Sequence, residues 1–143
     1  MTTIAYKDGI IAYDSRFTCN NVIVDDNGDK KIEADGKVFI LTGAQSDFIY
    51  LIDSYLHDKL IRKVRDPIRA LVVDNGKLYS SAISSHDGFW RCEESLSNHV
   101  AIGSGCDFAL AFMDTGMTAE EAVRDTCKRD IYTGGTIRTF KIN

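Results

Sequence analysis

The 143 residues of this chain fit one ordinary domain, and their composition is that of a globular protein. Apolar residues make up 44% and charged residues 27%, a balance that excludes disordered, collagen-like and coiled-coil chains. The net charge of −4 argues against a role on nucleic acid or on a membrane surface, because both require a basic patch. No apolar run approaches the ~20 residues that cross a bilayer. The first residues lack the basic and apolar regions of a signal peptide, so we expect a cytoplasmic protein.

The cysteines favour the same compartment. The four cysteines are far apart and form neither a Cys-x-x-Cys pair nor a Cys/His cluster, so we expect no zinc site. Their even number leaves disulfides open, but a chain of this size without a signal peptide is more typical of reduced thiols. These residues are Cys19, Cys92, Cys106 and Cys127.

The first third of the chain is typical of strands joined by tight turns. Asp8-Gly9 between two β-forming runs predicts a hairpin of strands Thr2–Lys7 and Ile10–Asp14. Counting outward from that turn places Thr3 opposite Asp14 and Thr2 opposite Ser15. Three more strands are predicted at 22–24, 30–32 and 37–41, the first two forming a pair around an Asp-Asn-Gly turn.

The period of the pattern then changes. After Ser46, a good N-cap, apolar residues from Phe48 to Leu60 recur at helical spacing, and Pro67 ends the stretch. Strands resume at 68–73 and 78–81, and a short strand at 100–102 leads into a Gly-Ser-Gly turn. Helices follow at 108–114 and 119–129, the second opened by the capping box of Thr118 and Glu121, and a strand at 136–142 closes the chain. This order predicts two sheets with helices packed outside.

Thr2 is the first candidate for a catalytic residue. A threonine hydroxyl is a weak nucleophile without a neighbouring base, and an N-terminal threonine carries its own base in the α-amine. That amine has a reference pKa of about 7.7–8.0, close to the optimum for a general base at neutral pH. Removal of Met1 would create this arrangement. Many proteins begin with Met-Thr, so the pattern alone favours an ordinary N-terminus.

Two charged residues and two turns are further candidates. The hairpin register brings Asp14 next to Thr2, where it can hold a cation, the alternative being a charge on an edge strand. Lys31 near the N-terminus would keep an amine neutral, since like charges disfavour protonation, the alternative being a surface lysine. The Gly103-Ser104-Gly105 turn offers free N–H groups at a helix start, but no Gly-Lys-Ser/Thr follows it and we expect no nucleotide site. The second turn is the stretch 130–135, Asp-Ile-Tyr-Thr-Gly-Gly.

Taken together, these segments resemble the proteasome β-subunit and bacterial HslV peptidases, which are N-terminal-nucleophile hydrolases. Five motifs occur in the family's order along the chain. They are Thr2-Thr3-Ile4, Asp14-Ser15-Arg16-Phe17-Thr18, Lys30-Lys31-Ile32, Ala101-Ile102-Gly103-Ser104-Gly105 with Phe108-Ala109, and Arg129-Asp130 through Gly134-Gly135. The chain departs from the family in a shorter first hairpin and in lacking a second long helix before Pro67.

The resemblance implies a fold and an activity. The expected fold class is α+β, a four-layer αββα sandwich with two stacked antiparallel sheets between helices, formed by a single domain over residues 1–143. The expected activity is that of a threonine-type peptidase. Thr2 would be the nucleophile and, after loss of Met1, the base. Lys31 would tune and position it, and Asp14 would hold Lys31. The hydrogen-bonded support around the N-terminus would come from Ser104, Asp130 and Thr133.

The resemblance also implies how substrate, cations and partners bind. Thr18 would pair main chain to main chain with an extended peptide, and a backbone N–H near Ile40 or Gly43 would hold the oxyanion. No cofactor is expected. Backbone carbonyls near Cys127, Asp130 and Thr133 match a turn that binds a monovalent cation in HslV. The expected partners are a peptide or unfolded protein and copies of the chain in a homo-oligomeric ring, with an ATP-dependent unfoldase left open.

Two other functions are compatible with the same residues. One is a catalytically silent protein of this fold with a structural or assembly role, which the isoleucine at position 40 favours, since the family has its oxyanion glycine there. The other is a small-molecule amidase, because the nucleophile does not fix the substrate.

Overall fold

The structure is a computed structural model that describes residues 1–58 and 64–143. It separates into two compact units. The first comprises Met1–Lys30 and Ser95–Asn143, and the second comprises Lys31–Glu94. The expectation of a single proteasome-like domain over residues 1–143 stays a prediction.

Strands dominate the secondary structure of the described residues. A short 3₁₀ turn at Gln45–Asp47 precedes the first helix. In chain order the elements are β1 (Thr3–Lys7), β2 (Ile10–Tyr13), β3 (Phe17–Cys19), β4 (Val22–Asp25), β5 (Lys31–Ala34), β6 (Lys37–Thr42), α1 (Phe48–His57), β7 (Ile68–Asp74), β8 (Lys77–Ser84), β9 (Gly88–Glu94), β10 (Val100–Gly103), α2 (Cys106–Asp114), α3 (Ala119–Thr126) and β11 (Arg138–Lys141).

The first unit contains a four-stranded antiparallel sheet in the order β10-β1-β2-β11. The predicted hairpin at its centre is confirmed. Asp8 and Gly9 have φ of 50° and 83°, the left-handed values that a tight two-residue hairpin turn requires. The amide of Asp14 donates to the carbonyl of Thr3 at 3.3 Å, so these two residues face each other as the count from the turn predicts. The short sheet β3-β4 belongs to the same unit.

Small side chains allow α2 and α3 to pack closely on this sheet. On the helices the buried positions follow the 3.6-residue period, with Ala109 and Met113 on one face of α2. The capping box is confirmed, because the amide of Glu121 donates to the Thr118 hydroxyl at 3.1 Å. The core cluster consists of Ala5, Ala12, Ala109, Met113, Ala119, Ala122 and Val123.

The second unit is a five-stranded antiparallel meander, β5-β6-β7-β8-β9, with α1 packed against it. Tyr55 of α1 meets the ring of Phe39 edge-on, with the ring centroids 5.2 Å apart. Helix α1 ends where Asp58 adopts a left-handed conformation with φ of 52°. The predicted continuation of this helix to Leu60, and the segment up to Lys63, lie outside the described residues.

The pairing predicted between strands 22–24 and 30–32 is wrong. β4 pairs with β3, which the sequence analysis missed because Phe17–Cys19 is too short to show a period. β5 pairs instead with β6 across Asp35-Gly36, whose φ values of 52° and 73° fit the same tight turn. Strand β9 was also missed, since its polar residues Arg91, Glu93 and Glu94 interrupt the apolar pattern.

The predicted fold class, α+β in a four-layer αββα sandwich with two stacked antiparallel sheets between helices, is therefore wrong as well. The described residues are 41% strand and 22% helix, with three antiparallel sheets and three α-helices. The extra sheet arises because the β3-β4 pair forms a separate ladder. Of the described α-helices, α2 and α3 belong to the first unit and α1 belongs to the second.

Among the residues that the structure describes, no helix has the length and apolar character needed to cross a membrane.

The packing of α2 makes a testable statement about stability. We expect Met113→Ala to lower the free energy of unfolding by about 2–5 kcal/mol, because Met113 is 1% exposed and truncation leaves a cavity in the core. Phe108 lies on the same helix but is 43% exposed, so Phe108→Ala should change stability by less than about 0.5 kcal/mol. Urea unfolding followed by circular dichroism measures both, and equal losses would contradict the described orientation of α2.

Candidate functional site

Thr2 contacts a buried ion pair at the start of β1. The Thr2 side chain is 2% exposed, and the Lys30 Nζ donates to its Oγ1 at 2.6 Å. The same Nζ lies 2.8 Å from Oδ1 of Asp14, and both members of this pair are at most 1% exposed. The Thr2 hydroxyl is therefore the third member of a dry, charged cluster in the first unit.

Asp14 is held by main-chain donors as well as by the lysine. Its Oδ1 accepts the amide of Thr3 at 3.1 Å, and its Oδ2 accepts the amide of Gly134 at 3.0 Å and that of Arg16 at 3.3 Å. These three backbone donors and the ammonium of Lys30 fix the orientation of the Asp14 carboxylate. Asp14 thus presents a fixed negative charge to Lys30.

The turn before β5 directs Lys30 inward. The amide of Asn27 donates to Oδ1 of Asp25 at 2.8 Å, which closes a local Asx turn, and the amide of Gly28 donates to the carbonyl of Ser15 at 3.0 Å. A Cβ at Gly28 would lie 2.2 Å from the Phe17 ring, so only glycine allows this approach. The Lys30 ammonium in turn lies 5.3 Å from the centroid of the Phe17 ring.

Burial lowers the pKa of Lys30 below the ordinary lysine value, against the opposing pull of Asp14. The Lys30 ammonium therefore loses its proton more readily than the ammonium of a surface lysine. The α-amine of Met1 has a lowered pKa as well, because it is desolvated and lies near the positive charge of Lys30. Both shifts have the same direction, so each amine loses its proton more readily than the same group in water.

A chain of hydroxyl groups connects Thr2 to Asp130. The Thr2 amide donates to Oγ of Ser104 at 3.2 Å, and Ser104 donates to Oδ2 of Asp130 at 2.6 Å. Thr133 also donates to this oxygen at 2.6 Å, and its Oγ1 lies 2.7 Å from Oγ1 of Thr3. A carboxylate only accepts hydrogen bonds, so the Thr133 hydroxyl donates its one hydrogen to Asp130. The Thr3 hydroxyl must therefore be the donor in its contact with Thr133.

Two glycines allow the turn after β10 to approach β1. Gly103 has φ of +99°, and a Cβ there would lie 1.9 Å from the carbonyl oxygen of Thr2. At Gly105 a Cβ would lie 2.2 Å from Oγ1 of Thr3. The glycines of the Gly-Ser-Gly turn are thus required by close approach, and they bring Ser104 within reach of the N-terminus.

The structure brings five of the six predicted catalytic residues together: Thr2, Asp14, Ser104, Asp130 and Thr133. The sixth, Lys31, needs correction. Lys31 opens β5 opposite Ile40, and its Nζ lies 3.7 Å from Glu33 in a partly exposed ion pair. Lys30 occupies the predicted position beside Asp14, one residue earlier, and successive residues of extended chain point in opposite directions.

The predicted substrate-binding residues lie on two strands and directly after the second of them. Thr18 is half-buried on β3, next to a register shift between Phe17 and Thr18. Ile40 is fully buried on β6 of the second unit, and Gly43 follows that strand with φ of +125°. Their contribution to substrate binding stays a prediction.

The predicted cation site stays a prediction too. The carbonyl of Asp130 already accepts the amide of Thr133 at 3.1 Å. The thiol of Cys127 lies 3.3 Å from the carbonyl of Val123, and burial raises its pKa. Within residues 1–58 and 64–143, no group of three or more His, Cys, Asp or Glu side chains is arranged to hold a metal ion.

Two residues of the site were missed by the sequence analysis. Lys30 stood next to the chosen Lys31, and only the irregular turn before it distinguishes the two. Arg16 forms a two-pronged ion pair with Asp26, at 2.8 and 3.2 Å, and donates to the carbonyl of Ile131 at 3.0 Å. No local pattern around Arg16 predicts these contacts, since its partners are ten and 115 residues away.

The fold is similar to that of a protein from Thiobacillus denitrificans called BPH. Two solved structures of that protein, one of them in complex with epoxomicin, match with TM-scores of 0.68 for the complex and 0.64 for BPH alone. Each match has 17% sequence identity and covers 99% of this chain and 98% of the other. At this identity the likeness shows a shared fold. No protein-family model and no curated protein matches this chain.

Stability measurements distinguish Lys30 from Lys31. We expect Lys30→Met to lower the free energy of unfolding by about 3–5 kcal/mol, because it leaves the Asp14 carboxylate buried without its cation. Lys31→Met removes a partly exposed pair and should cost less than about 1 kcal/mol. Urea unfolding of the two variants is the measurement. A larger loss in Lys31→Met would show that the lysines are assigned the wrong way round.

Proposed function

We propose that this protein is a threonine-type peptidase that uses Thr2 as an N-terminal nucleophile, related to the proteasome β-subunit and HslV peptidases. The observation that carries the proposal is the contact of Lys30 Nζ with Thr2 Oγ1 at 2.6 Å, inside a buried pair with Asp14. A threonine hydroxyl needs such a partner to act as a nucleophile, and a purely structural threonine does not.

The first step of the proposed reaction is attack on the peptide carbonyl. Removal of Met1 frees the α-amine of Thr2, whose nitrogen lies 3.2 Å from Ser104 Oγ. The Thr2 hydroxyl then adds to the carbonyl carbon and its proton passes to this amine. Lys30 supports the step in two ways. It orients Oγ1 by its hydrogen bond, and its positive charge disfavours protonation of the amine beforehand.

The second step breaks the peptide bond. The protonated amine gives its proton to the leaving nitrogen, the carbon–nitrogen bond breaks, and the acyl group remains on Thr2 as an ester. Water then adds to the ester carbonyl and gives its proton to the same amine. The bond between the acyl carbon and Oγ1 breaks, the amine returns that proton to Oγ1, and the acid leaves. Ser104 keeps the amine in position throughout, because the carboxylate of Asp130 orients its hydroxyl group together with that of Thr133.

The similar protein supports the choice of a peptidase over a small-molecule amidase. BPH of Thiobacillus denitrificans has been solved in complex with epoxomicin. Epoxomicin is a peptide epoxyketone, and such compounds form bonds with both the hydroxyl and the free amine of an N-terminal threonine. We propose that the present chain binds an extended peptide, with Thr18 pairing to its main chain.

We further propose that the peptidase works in the cytoplasm as a homo-oligomeric ring on peptides or unfolded proteins, and we leave open whether an ATP-dependent unfoldase is a partner. Exposed apolar side chains on β4 support association, since Val22 is 64% and Val24 62% exposed. A closed assembly would keep an unspecific nucleophile away from folded proteins.

Intact-mass spectrometry with epoxomicin tests the nucleophile. We expect a protein that lacks Met1 and that gains one epoxomicin, because the reagent needs the amine and the hydroxyl together. Thr2→Ala should fold and lose Met1 but gain no mass. Thr3→Ala is the matched control, because the Thr3 hydroxyl contacts Thr133 and is not the group that epoxomicin attacks. The Thr3→Ala protein should still gain one epoxomicin on Thr2.

The reading of this experiment depends on Met1. If Met1 is retained, the protein is trimmed with an aminopeptidase and the incubation is repeated on the trimmed chain. Trimmed protein without an adduct would overturn the peptidase proposal in favour of a silent structural protein. An adduct that persists in Thr2→Ala would place the nucleophile elsewhere.

Sedimentation velocity tests the assembly. We expect a species several times heavier than the 15.9 kDa chain at micromolar concentration, since the exposed apolar surface favours burial against other copies. Thr2→Ala serves as a control that removes the hydroxyl and leaves the surface unchanged. A monomer in both samples would rule out the ring.

A further inference from the structure

Arg138 makes four hydrogen bonds to two segments that lead into the candidate active site. Its Nε donates to Oγ of Ser15 at 3.1 Å and to the carbonyl of Gly28 at 3.3 Å. Its Nη2 donates to the carbonyl and the side-chain oxygen of Asn27 at 3.1 and 3.2 Å. A guanidinium presents several donors in one rigid plane, which suits a contact of this kind and which a lysine cannot reproduce.

The two segments carry the two halves of the buried ion pair. Ser15 follows Asp14 directly, and Gly28 lies two residues before Lys30. Ser15 is fully buried and is fixed from the other side, because its Oγ donates to the carbonyl of Thr136 at 2.5 Å. Arg138 therefore connects the residue that follows Asp14 to the turn that precedes Lys30.

Other contacts bind the same turn to the closing segment of the chain and to β2. The amide of Thr136 donates to the carbonyl of Asp26 at 3.2 Å, and the Tyr13 hydroxyl donates to Asp29 at 3.2 Å. Burial, and then the charge and hydrogen bond of Asp29, raise the pKa of Tyr13, so this donor keeps its proton at neutral pH. Arg138 is the side chain among these that reaches both segments at once.

We propose that Arg138 is a positioning residue that sets the distance between Lys30 and Asp14 by joining Ser15 to the turn at Asn27 and Gly28. The effect on turnover rests on the proposed function, whereas the effect on Lys30 does not. When the guanidinium is removed, the turn loosens, water reaches Lys30, and the amine loses its fixed geometry towards Thr2.

The state of Lys30 reports on this geometry directly. Burial depresses its pKa, so a looser and wetter environment moves that pKa upward, towards the ordinary value of about 10.4. The charged and titratable groups that act on Lys30 from the packed elements are Asp14, Arg16, Cys127 and the α-amine of the chain. Because Arg138→Lys keeps the positive charge at this position, a rise in the Lys30 pKa in that variant reports the position of the turn and not the loss of a charge.

The experiment is an NMR titration of the lysine side chains in Arg138→Met, with the Lys30 signal assigned from Lys30→Arg. We expect the Lys30 pKa to rise, and in the peptidase assay kcat to fall about 100-fold at nearly constant KM, as misplacement of a catalytic group does. Arg138→Lys keeps the charge without the planar fork and should restore only part of either quantity. Arg124→Met is the matched control. Arg124 is an exposed arginine of the same unit that pairs with Glu120, and both readouts should stay at the wild-type value.

Each result decides one question. A folded Arg138→Met protein with an unchanged Lys30 pKa would overturn the positioning role. A raised Lys30 pKa in a protein whose wild type shows no peptidase activity would support the positioning role and overturn the proposed function. If Arg138→Met does not fold by circular dichroism, Arg138→Lys decides, and a wild-type Lys30 pKa and kcat in that variant would overturn the proposal.

Discussion

The buried ion pair of Lys30 and Asp14 is the constraint on which the first unit depends. Two charges that are at most 1% exposed lose their hydration. Such a pair is tolerated only where its remaining hydrogen-bond donors and acceptors have partners. The chain supplies them from several places at once: three backbone amides reach Asp14, and the hydroxyl of Thr2 accepts from Lys30. Gly28 serves this arrangement because its amide bonds the carbonyl of Ser15 two residues before Lys30. The hairpin register serves it by placing the amide of Thr3 against the Asp14 carboxylate.

Local chemistry predicted the parts of this unit that depend on short stretches of chain. Asp8-Gly9 fixes a two-residue turn, and the turn fixes Thr3 opposite Asp14 by counting alone. The Gly-Ser-Gly turn and the Asp-x-x-Thr-Gly-Gly turn were found in the same way, which brought Ser104, Asp130 and Thr133 into the candidate site. The roles of these residues come from the resemblance, and their positions come from the structure.

Features that depend on distant pairing were beyond the sequence. Adjacent lysines differ in direction, and only the path of the turn from Asn27 to Lys30, held by contacts with Ser15 and Arg138, decides which one is buried. The partner of β4 was equally hidden, because three residues of β3 carry no period of their own. Because β3 and β4 pair with each other, the structure has a third sheet. The predicted four-layer sandwich with two sheets was therefore wrong.

The contact between Thr3 and Thr133 has a consequence for biosynthesis. These hydroxyls lie 2.7 Å apart in space and 130 residues apart in the chain. A ribosome releases the first of them long before it has made the second, and domains fold once their segments are available. Until residues 130–138 have emerged, Ser104 has no carboxylate to orient it and the turn before Lys30 has no arginine to hold it. In the proposed peptidase, Thr2 therefore lacks these supporting contacts until translation of the chain is nearly complete.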